Sequence, residues 1–363
     1  MNVIIIGGGL LGLLSARELA LAGCDVTVLD QSAPGQESSW AGGGILSPLY
    51  PWQYADAVNA LASWGQQHYP ALVEALMAEG GIDPQWTQSG LLVLDSDMRE
   101  AATAFAQRYG MPLELVDARK LAELEPQIAP QSQPGLLFPG IAQIRNPRFV
   151  KSLLTSCATL GVRFSPRTQV SGFRLHDRQV RGVRTAKGDF DAEVVLVAGG
   201  AWSGHLLKAV QVVLDVEPVR GQMVLYHAAP GQLEHIVLDR GHYLIPRRDG
   251  RILVGSTLEY VGFDKSTTAP AREQLTDFAV NLFPFLANTP IEQHWSGLRP
   301  GQSGAIPYIC AVPGYGGLYL NTGHFRNGVI LGPASAHLVA DLILGREPIL
   351  NPAPYGLARA IPE

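Results

Sequence analysis

The chain has 363 residues, 47% of them hydrophobic and 16% charged, with a formal net charge of −5. That is enough apolar material for a large core and, by length, for two domains. It has no basic stripe, no polybasic run and no apolar run of about eighteen residues, which argues against nucleic-acid binding, an anionic membrane surface and a membrane span.

Residues 3–6 are a β-branched run suited to a strand buried on both faces. Gly7, Gly9 and Gly12 follow as G-x-G-x-x-G, then a Leu/Ala-rich helical pattern to Gly23, then a second apolar strand at 26–29 that ends before Asp30. This strand–helix–strand unit is the dinucleotide-binding fingerprint. Gly7 allows the tight turn, Gly9 lets backbone approach a pyrophosphate, and Gly12 lets the helix pack closely on the sheet. The helix start offers unpaired N–H groups to phosphate. Asp30, 18 residues after Gly12, is placed to accept hydrogen bonds from a ribose diol. The motif alone does not separate FAD from NAD, and a glycine-rich turn without a ligand is the plain alternative. The segment is not expected to be a signal peptide, because it lacks a charged start and its apolar run breaks at glycines.

Ser38, Ser39 and the run Gly42-Gly43-Gly44 come next, where backbone without Cβ atoms can lie against a flat ligand. Residues 54–78 read as a helix, with His68 a packed or partly exposed position rather than a ligand. Strands are expected at 90–94 and 112–116, with helices at 97–109 and from Asp117 to before Pro126. Asn146-Pro147 reads as a helix start with Asn as cap and Pro at the first helical position. Strands follow at 162–164, 168–173, 179–185 and 190–197, the last running into Gly199 and Gly200. Residues 212–219, 222–227, 236–238, 242–246 and 251–255 read as an antiparallel sheet in a second domain. A helix at 271–283, the W-S-G-L-R-P segment at 295–300 and a strand–turn–helix from 317 to 344 close the chain. Cys24, Cys157 and Cys310 show no metal-ligand or C-x-x-C spacing, so reduced thiols and no metal are expected.

Four segments, the N-terminal fingerprint, S-S-W-A-G-G-G-I-L-S-P at 38–48, V-L-V-A-G-G-A-W-S at 195–203, and W-S-G-L-R-P together with T-G-H-F-R-N-G-V-I-L-G-P at 322–333, point the same way. Together they resemble the D-amino-acid-oxidase-like FAD-dependent oxidoreductases over essentially the whole length, and within them the glycine-oxidising branch that serves thiamine thiazole formation. The resemblance implies an α/β fold: a Rossmann-like FAD-binding domain (1–82, 141–214 and 296–363) interleaved with an α+β substrate domain on an antiparallel sheet (83–140 and 215–295). It implies non-covalent FAD, a small amino-acid substrate, molecular oxygen as acceptor, a homotetramer and a cytoplasmic location.

Carried over by position, Leu10, Leu11, Asp30, Gln31 and Val170 would lie along the adenosine and pyrophosphate, with Gly199 close by. Ser38, Ser39, Gly43, Gly44 and Ile45 would touch phosphates and flavin, and His324, Phe325, Arg326, Asn327, Gly328, Val329 and Ile330 would wrap the ring. Arg299 would grip the substrate carboxylate, shared by Tyr243, with Leu258 over the substrate and Arg326 near the pocket. No side-chain base is required, because hydride passes to the flavin. The loop Gln302-Ser303-Gly304-Ala305 departs from the family pattern, and Cys310 is not expected to bond the flavin. A sarcosine or D-amino-acid oxidase, a dehydrogenase with another acceptor, and a non-catalytic dinucleotide-binding protein are the competing expectations.

Overall fold

The computed structural model describes residues 1–130 and 132–358. One sheet has six strands, ordered Tyr308–Ala311, Leu318–Thr322, Val194–Val197, Asn2–Ile6, Asp25–Leu29 and Arg163–Ser165. Every neighbouring pair is parallel except Tyr308–Ala311 with Leu318–Thr322. The N-terminal strand is apolar at each position because both faces are covered. Val3 and Ile5 pack under the helices Leu10–Leu21 and Gly328–Leu344, while Ile4 and Ile6 pack on the opposite face with Val195, Val197 and Leu320.

A second sheet has eight strands, ordered Ile291–Gly301, Glu217–Tyr226, Ile252–Gly255, His242–Pro246, Ile236–Asp239, Leu91–Val93, Gly135–Phe138 and Glu114–Val116. It is antiparallel apart from the Ile236–Asp239 and Leu91–Val93 pair. The helix Ala269–Leu282 covers one face through Leu275, Ala279 and Leu282. Met223, Tyr243 and Ile245 point to the other face, together with Ile45. Val170–His176, Gln179–Thr185 and Gly188–Asp191 form a separate three-stranded sheet.

Several expected elements take a different form. The single strand at 190–197 is two: Ala192 N donates to Arg181 O in the small sheet, whereas Glu193 N already donates to Asn2 O in the large one. The chain changes sheets there, which an apolar pattern does not reveal. The expected break before Gln222 is absent, since Glu217–Tyr226 is one ten-residue strand paired on both sides. Residues 295–301 belong to the eleven-residue strand Ile291–Gly301. The cap at Asn146 is also different. Arg145 occupies the cap position and the helix Asn146–Thr159 already includes Asn146, whose amide instead donates to Ser39 O at 3.0 Å. Among the described residues no helix is long and apolar enough to cross a membrane.

Candidate functional site

The carboxyl ends of the parallel strands open into a hollow lined by Gly7, Gly9, Asp30, Gln31, Val170, Gly199 and Trp202, among others. Gly7 has φ +105°, and a Cβ there would lie 2.4 Å from Ala198 O, so the turn out of the first strand admits only glycine. Asp30 is braced by its own chain. Its Oδ2 accepts from Gly8 N at 2.7 Å, and Oδ1 accepts from Ser32 N at 2.8 Å and Ser32 Oγ at 3.0 Å. A carboxylate has about four acceptor positions, so room remains for a further donor. Ser39 Oγ accepts from Leu10 N at 2.7 Å and so ties the 38–44 segment to the first helix turn.

A second, smaller hollow adjoins the first and shares Leu10, Leu11, Ser38, Ser39, Pro300 and His324 with it. Its walls hold Gly43, Gly44, Ile45, Gly221, Tyr243, Arg299, Arg326 and residues 325–329. The two hollows form one cleft running from Asp30 to Arg299.

Arg299 enters from the strand Ile291–Gly301. Its Nη1 donates to Thr257 O at 3.1 Å and its Nη2 to Ser256 Oγ at 2.7 Å. It makes no ion pair among the described residues. Burial pushes its guanidinium below the usual arginine range, opposed by the nearby Tyr243 hydroxyl. Tyr243 is 7% exposed and its hydroxyl donates to Met223 Sδ at 3.5 Å. Among the described residues Arg326 Nη2 reaches only Gly241 O, at 3.4 Å. No aspartate, glutamate or lysine among the described residues lines this hollow, so two guanidinium groups set its potential.

His324 is 1% exposed and burial pushes it down to about 3, so the ring is neutral. Ser335 Oγ donates to Leu331 O at 2.8 Å, which leaves it to accept from His324 Nε2 at 2.9 Å. The ring is therefore held as the Nε2-H tautomer and is not an acid–base group.

Most residues expected at a site do line the cleft: Gly7, Gly9, Leu10, Leu11, Asp30, Gln31, Ser38, Ser39, Gly43, Gly44, Ile45, Val170, Gly199, Tyr243, Arg299 and 324–329. Gly12, Leu258 and Ile330 do not. Gly12 lies beneath the turn, where a Cβ would meet Gly7 O at 1.9 Å. Ile330 is 1% exposed and its carbonyl packs against Gly65. Leu258 is 46% exposed and lines a separate outer hollow that meets the inner one at Arg326. Neither Cys310 nor residues 302–305 line the cleft. Gly221, Ser256, Thr257 and Arg247 also build the site, beyond the residues expected from sequence. Only Gly221 carried a local signal, as a glycine inside a strand.

The cleft fits FAD on the chain's own features. Gly9 N and Leu11 N make no hydrogen bond among the described residues. The buried Asn321 Oδ1 and Asn327 Nδ2 are orphaned although both residues line the cleft, and such atoms cost free energy unless a ligand satisfies them. Among the described residues no group of three or more His, Cys, Asp or Glu side chains could hold a metal ion.

Comparison with known proteins agrees with this geometry. Residues 2–342 match the family model described as FAD dependent oxidoreductase. The chain is 48% identical to a glycine oxidase of Pseudomonas aeruginosa, over 98% of each chain. It superposes on the crystal structure of glycine oxidase from Geobacillus kaustophilus with a TM-score of 0.95 at 30% identity, covering 99% of both. It is also 30% identical to the bifunctional protein ThiO/ThiG of Trichormus variabilis, over 96% of this chain and 54% of that one.

Proposed function

The chain belongs to the FAD dependent oxidoreductase family, and on that premise we propose that it oxidises glycine to glyoxylate, ammonia and hydrogen peroxide, consuming oxygen and water. The observation that carries the reading is Arg299. It is a partly buried cation with no anionic partner among the described residues, in the same cleft as the dinucleotide fingerprint.

When bound, FAD supplies the two-electron acceptor and hands the electrons on to oxygen. The chain's residues do the rest. Arg299 takes the substrate carboxylate through its planar fork, and Tyr243 adds a hydroxyl donor. Arg326 adds positive potential from the outer side of the hollow. Two guanidinium groups with no carboxylate among the lining residues disfavour an ammonium, so the amine is bound in the neutral form that oxidation needs. Neutral His324 takes no proton, and the amine proton leaves to water. Catalysis by the protein is mainly positioning.

Asp30, Gln31, Val170, Gly199, Gly7, Gly9, Leu10 and Leu11 hold the adenosine diphosphate end. Ser38, Ser39, Gly43, Gly44, Ile45 and 324–329 are assigned to the ring end, without a covalent bond. The chain divides into an FAD-binding domain (1–82, 141–214, 296–363) and a substrate domain (83–140, 215–295), a division that follows the six-stranded and eight-stranded sheets except at the strand Ile291–Gly301, whose residues 296–301 stay in the eight-stranded sheet; Gln131 and residues 359–363 lie outside the described residues. A homotetramer, a cytoplasmic location and a role in thiamine thiazole formation rest on the family resemblance. The test is anaerobic reduction of the FAD-loaded protein. Glycine should bleach the flavin, and air should restore the colour with release of peroxide. Bleaching by sarcosine or D-alanine but not glycine would shift the substrate; bleaching by none of them would overturn the reading.

A further inference from the structure

Arg247 follows the strand His242–Pro246 and is 9% exposed. Its Nη2 donates to Gly43 O at 2.7 Å, and its Nη1 donates to Gln143 Oε1 at 2.6 Å and Ile144 O at 3.2 Å. Gln143 cannot turn away, because its Nε2 donates to Ser89 Oγ at 2.7 Å and Pro246 O at 2.6 Å. All three acceptors on Arg247 are neutral. The carboxylate that acts on it, Asp249, is engaged by Arg145 at 2.7 Å and Arg251 at 2.9 Å. Burial and Arg145 push the guanidinium down to about 10, so it stays charged at neutral pH.

A buried cation bound only to neutral acceptors is costly. Its position shows what offsets that cost. Gly43 and Gly44 line the cleft and Arg247 does not, so the guanidinium sits behind the Gly43–Gly44 peptide. That peptide is trans, so Gly44 N–H points opposite to the carbonyl held by Arg247. Gly44 N–H makes no hydrogen bond among the described residues, and neither does Gly43 N–H.

We propose that Arg247 is a positioning residue for the cofactor ring: through the Gly43–Gly44 peptide its charge orients a backbone donor at the cleft and favours the negative charge that the ring gains on reduction. The inference rests on the assignment of Gly43 and Gly44 to the ring end of FAD. The principle is a preorganised dipole aimed at developing charge, reinforced by a fixed cation in a medium of low dielectric constant.

The test needs no turnover. Sulfite adds to an oxidised flavin and leaves negative charge on the ring, so its affinity reads the same electrostatics. It is measured on FAD-loaded wild type and on Arg247→Met, Arg247→Lys and Gln143→Glu, alongside FAD affinity and the midpoint potential by chemical titration. Arg247→Met should bind sulfite at least tenfold more weakly, with a potential lower by about 30 mV for that tenfold change in a two-electron couple. Arg247→Lys, which keeps the charge, should stay within about threefold of wild type in sulfite affinity. Gln143→Glu keeps the bond to Gly43 but sets a carboxylate against the guanidinium, and it should also weaken sulfite binding. Wild-type sulfite affinity in Arg247→Met overturns the proposal. A loss in Arg247→Met with none in Gln143→Glu also overturns it, because Arg247 would then be only a staple between the two segments. Failure of the functional reading shows elsewhere, as a wild-type flavin that dithionite reduces and glycine does not.

Discussion

The guanidinium of Arg299 lies across the α-carbon of Gly221, on the neighbouring strand. A Cβ at Gly221 would fall 2.1 Å from Nη1 and 2.2 Å from Nη2. The strand Glu217–Tyr226 pairs Val219 with Arg299 and Gly221 with Gly297, so register alone brings a residue without a side chain beneath the arginine head. Gly221→Ala should therefore displace Arg299 while leaving the dinucleotide hollow intact. The expected result is at least a hundredfold fall in kcat/KM for glycine and weaker acetate binding, with FAD affinity within about threefold. Unchanged acetate affinity would contradict it.

Arg299→Lys keeps the charge and loses the fork. Lysine cannot reach Ser256 Oγ, Thr257 O and a carboxylate in one plane. The loss should be about 1.5–3 kcal/mol of carboxylate binding, the range for hydrogen bonds to charged groups. Acetate titration followed by flavin absorbance measures it. An equal loss of FAD affinity would assign Arg299 to the cofactor instead.

Ser39→Ala removes the hydroxyl that accepts from Leu10 N. The orphaned N–H should cost about 1 kcal/mol in thermal or urea unfolding of the FAD-free protein. FAD should also bind more weakly, because the 38–44 segment loses its tie to the helix start. Unaltered stability and FAD affinity together would remove Ser39 from this role.

Glu79 links the packing of three helices to acid conditions. It is bonded to Arg17 and Ser156, which join the helices Leu10–Leu21, Asp56–Gly80 and Asn146–Thr159. Burial raises its carboxyl, but the bonds from Arg17 and Ser156 outweigh burial and hold it below the ordinary value of 4.5. A depressed carboxyl stabilises the fold fully above pH 4.5 and loses that contribution as pH falls through the folded-state value. Glu79→Gln should flatten the stability profile below pH 4.5 and cost on the order of 2–3 kcal/mol at neutral pH, since the buried Arg17 then keeps only the longer ion pair with Glu18 at 3.7 Å. Parallel acid-unfolding curves for the two proteins would refute this.

His324 should remain neutral from pH 5 to 8. Its imidazole nitrogen shifts in NMR should be flat across that range, because burial depresses its titration to about 3. An inflection near 6.5 would return it to the list of candidate proton carriers.

Much of the cofactor cleft is legible in the order of residues. The turn at Gly7, the acid at Asp30 and the glycines at 42–44 each express a local backbone need, and local needs leave local signals. Arg299 is different. Its neighbours Gly-Leu-Arg-Pro drew attention through family resemblance, while its partners Ser256 and Thr257 come from another strand's end. The expected cap at Asn146 shows the limit of local rules. The pattern Asn-Pro favours capping, but the amide found a partner at Ser39 O, 107 positions away.

The sequence by itself determined the elements whose cause is local: a buried parallel strand, a glycine turn, a helix start and an acid after the second strand. Their periodicity and backbone freedom are properties of neighbouring residues. Only the tertiary structure decided that Gly221 makes room for Arg299, that Arg247 stands behind Gly43 and that Leu258 and Ile330 lie outside the inner cleft. Those relationships depend on strand register and on segments as far as 204 positions apart packing together. A side chain's partner across such a distance is set by the shape of the whole core, which no local pattern encodes.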